Sequence, residues 1–307
     1  MKKIIFLLAV MLSFSKIFSQ QQAIYTQYMF NHVAVNPAYA ASKENITAML
    51  LARAQWVNFE GAPISQTLTL HGPAKPQRIG FGFSVLNDKI GVTNQTGAYV
   101  DFAFQFNVSE NLKIALGLKG GFDFYRADLT KLNVIEKNDP RFSEDVVENF
   151  KPNFGCGAFL YSDRYYIGFS IPKLLRNQIN INSDIISNGN SFEERHYFII
   201  AGYVFDVNSN VKFKPSILGK IVTGSPSSWD LNGSFLIKNR LWLGATYRLN
   251  DAISAMVEVK VSERFLIGYA FDFSATEMMG FNYGTHEILI SYEFNFNKFR
   301  VKSPRYF

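Results

Sequence analysis

Cys156 is the only cysteine in the 307-residue chain, so neither an intrachain disulfide nor a thiolate metal cluster can form within one chain. It lies between Gly155 and Gly157 and reads as a small residue in the wall of a strand. Long apolar runs are also missing. After the first two dozen residues no stretch approaches the roughly 20 apolar residues that a membrane-spanning helix needs. There are four histidines, His32, His71, His196 and His286, and none has a second histidine at metal-ligand spacing. No Gly-x-Ser-x-Gly elbow and no nucleotide-binding motif occur, which argues against a serine hydrolase or a motor. Basic runs are absent too: the net charge of +6 is spread along the chain, so nucleic acid is not an expected partner. No cofactor is implied.

The chain is rich in dispersed hydrophobicity. Forty-eight per cent of its residues are hydrophobic and 16% aromatic, with 30 Phe and 15 Tyr. Such a content without long runs suits strands in which each apolar residue is followed by a polar one. Between Gly97 and Asn107, Val100, Phe102, Phe104 and Phe106 share one face, and Tyr99, Asp101, Gln105 and Asn107 the other. Ile114, Leu116, Leu118, Phe122 and Phe124 likewise oppose Lys113, Lys119, Asp123 and Tyr125. The last run sets Ile288, Ile290, Tyr292, Phe294 and Phe296 against Glu287, Ser291, Glu293 and Asn295.

About fourteen such runs follow Ile46, most near the roughly 9 to 11 residues that cross a bilayer at a tilt. The links between them alternate. Tight polar turns such as Ser162-Asp163-Arg164 fall at one end, and all the long links, near 127–149, 172–194 and 274–284, at the other. The predicted fold is therefore all-β, a transmembrane antiparallel β-barrel of about 14 strands, with both termini periplasmic. Residues 1–19, with Lys2, Lys3 and an apolar stretch from Ile4 to Leu12, read as a signal peptide. Residues 20–44 form an irregular N-terminal periplasmic segment containing Pro37, and residues 45–307 form the outer-membrane barrel. Outer-membrane lipid is the first expected partner.

Chemistry offers little else. Glu193-Glu194-Arg195-His196 and His286-Glu287 could build an acid–base pair, although charged residues line barrel lumens for solvation alone. The inward charges Lys212, Lys214, Lys220, Glu287 and Glu293 fit a salt-bridged lumen or a selective pore. Three functions stay open on the residues alone: a binding component, a porin-like solute channel and a membrane-embedded hydrolase.

Several short pieces resemble the PorP/SprF family of outer-membrane proteins, associated with type IX secretion and gliding in Bacteroidetes. They are Tyr25-Thr26-Gln27-Tyr28-Met29-Phe30-Asn31, Val35-Asn36-Pro37-Ala38-Tyr39-Ala40, Arg53-Ala54-Gln55-Trp56, Gly168-Phe169-Ser170-Ile171-Pro172-Lys173-Leu174-Leu175, Gly284-Thr285-His286-Glu287-Ile288 and Ser303-Pro304-Arg305-Tyr306-Phe307. Ala41 stands where glycine is expected. The resemblance implies a non-enzymatic component that anchors a secreted cargo's C-terminal domain at the cell surface or links to the periplasmic type IX complex. A periplasmic partner would meet Tyr25, Tyr28, Asn31, Asn36, Pro37 and Tyr39. A surface cargo would meet the long loops with Asp139, Arg141 and Glu144, or those from Asn177 to Glu194, where Phe142 and Phe192, apolar residues in polar surroundings, either pack the loops or anchor the partner.

Overall fold

The structure is a computed structural model that describes residues 24–74, 78–132, 144–179 and 191–294. The strands are β1 (Ile46–Ala54), β2 (Ile64–Pro73), β3 (Ile79–Ile90), β4 (Thr93–Asn107), β5 (Lys113–Ala127), β6 (Val146–Tyr161), β7 (Tyr165–Ile171), β8 (Gln178–Ile179), β9 (Ser191–Phe192), β10 (His196–Tyr203), β11 (Phe205–Asn208), β12 (Val211–Val222), β13 (Ser228–Ile237), β14 (Leu241–Arg248), β15 (Ala252–Lys260), β16 (Phe265–Ser274) and β17 (Thr285–Phe294). Among the described residues β8 and β9 pair only with each other, in the link between β7 and β10. β11 continues β10 beyond Val204, and both lie along β12. The wall therefore has fourteen positions.

Each wall strand pairs antiparallel with its neighbours in sequence, and β1 pairs with β17 from Ile46↔Phe294 to Ala54↔His286. That last pairing closes the sheet and leaves no free edge, which a backbone in hydrocarbon requires. The wall sorts its residues by alternation. On β4 and β5 Val100 and Leu118 are 55% and 63% exposed, whereas their neighbours Asp101 and Lys119 are 0% and 5%. Phe102, Phe106, Leu116, Phe124, Ile288, Ile290, Tyr292 and Phe294 also point outward. A surface this apolar is stable only against lipid, and from Ile288 to Phe294 the lipid-facing residues of the closing strand are those the alternation predicts, while Phe296 lies outside the described residues. β6 begins at Val146, earlier than its pattern suggests, because a register shift opposite Asp123 and Tyr125 interrupts it. Phe150 there has φ 65°, and such a bulge moves later side chains to the other face.

What fills the interior is residues 24–44. Pro37 and the short 3-10 turns His32–Ala34 and Pro37–Ala41 keep this segment out of the sheet. Asn36 caps the second turn, its Oδ1 accepting the Ala38 N–H at 3.0 Å. Expected to lie against the barrel or in its periplasmic mouth, this segment, read as periplasmic, instead runs through the lumen. Tyr25 and Thr26 lie beside Thr67, Arg53 and Asp272, near the end of the barrel that carries the long links. Ala40 and Ala41 reach Gly80 at the short-turn end, where β1 begins. A fourteen-stranded wall encloses more space than its own side chains fill, and an aromatic, irregular segment fills it without needing a partner strand.

Candidate functional site

The lumen segment is seated by two separate clusters. In the first, Glu287 accepts two backbone N–H groups, from Thr26 at 2.9 Å and from Gln27 at 2.8 Å. The Thr26 hydroxyl donates to Asp272 at 2.7 Å. Arg53 binds the same two carboxylates, Asp272 at 2.7 Å and Glu287 at 3.1 Å, and donates to the Thr26 hydroxyl at 2.9 Å. Arg53 and Glu287 are direct partners in the β1–β17 register, so the pair that holds the segment also spans the seam that closes the barrel. Side-chain exposures of 0–4% mean that these charges rely on one another and on the segment rather than on water. Further along, Phe30 meets the Trp242 ring edge-on at 5.6 Å, and the Lys214 ammonium lies 4.5 Å and 4.7 Å from the two ring centres.

The second cluster is built on shape. Gly80, Gly117, Gly157 and Gly168 face the segment from β3, β5, β6 and β7. A Cβ on Gly117 would overlap the backbone of Pro37 and Ala38, and one on Gly157 would overlap the Asn36 side chain. Asn36 donates to the Ala158 carbonyl at 3.0 Å, and the Ser170 hydroxyl donates to the Val35 carbonyl at 2.7 Å. Between the clusters the His32 ring packs 4.8 Å from Tyr39 and 4.9 Å from Tyr166.

Above the segment, toward the long links, lies a cavity of about 90 Å³ floored by Tyr25, Ala34 and Val35. Lys173 bridges Asp123 at 2.8 Å and Glu193 at 2.6 Å over its mouth, and the Tyr99 hydroxyl donates to Asp123. Burial alone would lower the Lys173 pKa, but Glu193 and Asp123 outweigh it and hold the ammonium above the usual lysine value.

The residues expected to face a periplasmic partner make their contacts inside the chain. Tyr25, Tyr28, Asn31, Asn36 and Tyr39 are 0–6% exposed and Pro37 is buried. A stretch of aromatic and polar residues has the same composition whether it meets a partner or fills a lumen, so the sequence alone does not separate the two. Arg141 and Phe142 lie outside the described residues, as does Asp139. Phe192 is placed only by its backbone, opposite Gln178 in the β8–β9 hairpin. His196 faces the lumen, its Nδ1 2.9 Å from the Glu194 carbonyl, and His286 pairs with the Tyr269 hydroxyl at 2.7 Å on the outer face. The two imidazoles thus stand on opposite sides of the wall. Sequence reading did not single out Asp230, Trp242 or Arg248, although Arg248 forks onto Asp230 at 2.8 Å and 2.9 Å.

Comparison with known families explains why these contacts coincide with short sequence pieces. The family described as type IX secretion system membrane protein PorP/SprF matches residues 17–292. The chain belongs to the PorP/SprF family. In this PorP/SprF barrel, described pieces that carry the resemblance meet in two groups, while Ser303-Pro304-Arg305-Tyr306-Phe307 lies outside the described residues. Thr26-Gln27, Arg53 and Glu287 form the charged cluster, and Asn36-Pro37-Ala38 docks against Gly168-Phe169-Ser170. No curated protein matches the sequence. Among solved structures the PorP/SprF chain is similar to a Pseudomonas aeruginosa FadL homologue, at 13% identity over 85% of this chain and 93% of that one, TM-score 0.45. It is similar also to the CymD monoaromatic hydrocarbon channel, at 11% identity over 89% and 94%, TM-score 0.48. A third similar structure is the Acinetobacter baumannii outer membrane protein Omp33, at 9% identity over 82% and 98%, TM-score 0.46.

Proposed function

We propose that this outer-membrane barrel is a non-enzymatic docking component of type IX secretion, which holds the C-terminal domain of a secreted cargo at the end bearing the long links. The filled lumen carries this reading. Residues 24–44 occupy the space a solute would cross, and the charged lumen residues Arg53, Asp272 and Glu287 are bound to that segment. Room for a ligand then lies above the segment and on the links. Short turns face the periplasm in bacterial barrels, which puts the long links outside the cell and leaves the short-turn end for any contact with the periplasmic secretion complex.

The test is purification of the protein from its native outer membrane in mild detergent, with mass spectrometry of what accompanies it and conductance of the purified barrel in a planar bilayer. Recovery of a secreted protein with a type IX C-terminal domain, and a closed barrel, supports docking. A barrel recovered alone that conducts ions would overturn the docking reading in favour of a porin-like solute channel.

A further inference from the structure

We propose that the links 55–63 and 275–284 form one preorganised platform, which docks an apolar, basic-rimmed face of the cargo's C-terminal domain. This inference rests on the docking function proposed above and assigns it a surface. The two links are tied together by the Val57 N–H to the Gly284 carbonyl and by the Tyr283 N–H to the Val57 carbonyl, both at 2.9 Å. Each is also closed on itself, through Phe59 N–H to the Trp56 carbonyl at 2.9 Å and Asn282 Nδ2 to the Met278 carbonyl at 2.6 Å. A third tie, Gly91 N–H to the Gly61 carbonyl at 2.9 Å, joins the platform to the β3–β4 turn. A surface ordered in advance loses little entropy on binding.

On this fixed backbone stand Phe281 at 72% exposure, Tyr283 at 71%, Met279 at 57% and Phe59 at 46%. Phe281 and Tyr283 are the most exposed large apolar side chains among the described residues. They lie beyond Ser274 and before Thr285, past the ends of the strands whose outward faces meet lipid. Exposed aromatics grouped on a tied backbone are frequent anchors of protein interfaces.

Charge favours a protein over anionic headgroups. The only ionisable acids or bases on the two links are Glu60 and Glu277, with no Lys, Arg or His. Anionic headgroups attract Lys and Arg, whereas two carboxylates beside apolar side chains complement a basic rim. The barrel is also lower here. β14 to β17 have 8–10 residues against 15–16 in β4, β5 and β6, so a folded domain reaches this side without meeting the taller wall.

The experiment uses the full barrel in nanodiscs and, as probe, a purified C-terminal domain of a type IX secreted protein from the same cells. Binding is compared for the wild type, a Phe281→Ser/Tyr283→Ser variant and a Glu60→Lys/Glu277→Lys variant, with heat-modifiable gel migration confirming a folded barrel. The expected result is at least tenfold weaker binding for the serine variant and a severalfold loss for the lysine variant. Unchanged binding in both folded variants overturns the platform and leaves the docking function standing. No binding by the wild type removes both. Should the serine variant fail to fold, the lysine variant decides, because a lipid seat would be strengthened by lysine and a basic-rimmed protein repelled.

Discussion

From Tyr25 to Phe30 the lumen segment is held by charge: backbone N–H groups on Glu287, a hydroxyl on Asp272 and an ammonium over Phe30 and Trp242. From Asn36 to Ala41 it is held by shape, with its backbone pressed into positions that only glycine leaves open. The two attachments differ in how they fail. Charged hydrogen bonds are lost one at a time, and each loss leaves a partner stranded in a poorly solvated interior. Steric docking has no partial state, since a backbone that meets a new Cβ must move as a whole.

The sharpest way to break this contrast is Gly117→Val, an added isopropyl group whose Cβ already overlaps the backbone of Pro37 and Ala38. The shape-held half should be expelled or the barrel should fail to assemble, with a severalfold fall in heat-modifiable protein in the outer membrane; wild-type levels would show that the lumen yields more readily than its packing implies. Next in size is Arg53→Met. It leaves Asp272 and Glu287 without their main cation, at a cost of about 3 kcal/mol or more. Hydrogen exchange at the Thr26 and Gln27 amides should then quicken roughly a hundredfold, while protection from Ala38 to Ser42 stays near wild type. Equal loosening of both halves would mean that they are one unit.

The smallest effect lies in the shape-held half, at Ser170, whose hydroxyl donates to the Val35 carbonyl at 2.7 Å. Ser170→Ala removes one neutral hydrogen bond and costs about 1 kcal/mol, so proteolysis of the segment should accelerate only severalfold. An acceleration as large as that in Arg53→Met would show that this bond, and not shape, holds the second half.

The wall was largely legible because its cause is local. Alternation along β4, β5 and β17 names the lipid face directly, and link lengths separate the two ends. Legibility failed where the cause was distant. Phe150 hides the start of β6, since a bulge breaks the period of two on which the reading depends. The segment from Tyr25 to Tyr39 carried its motif openly, yet its place inside the lumen was not visible, because nothing in Tyr-Thr-Gln-Tyr names the residues it touches. Thr26 and Glu287 are 261 positions apart. Phe281 and Tyr283 sat within a link already read as long, and their joining to Val57 depends on β1 and β17 meeting.

By itself the sequence determined a closed antiparallel barrel in lipid, its strand faces and the sorting of its links, because period-two patterning and solvent preference act residue by residue. Only the tertiary structure decided that the N-terminal segment threads the lumen, that Arg53 and Glu287 hold it across the closing seam, and that two links share one platform. Those are contacts between residues far apart in the chain, and they exist only once fourteen wall positions have closed into a ring.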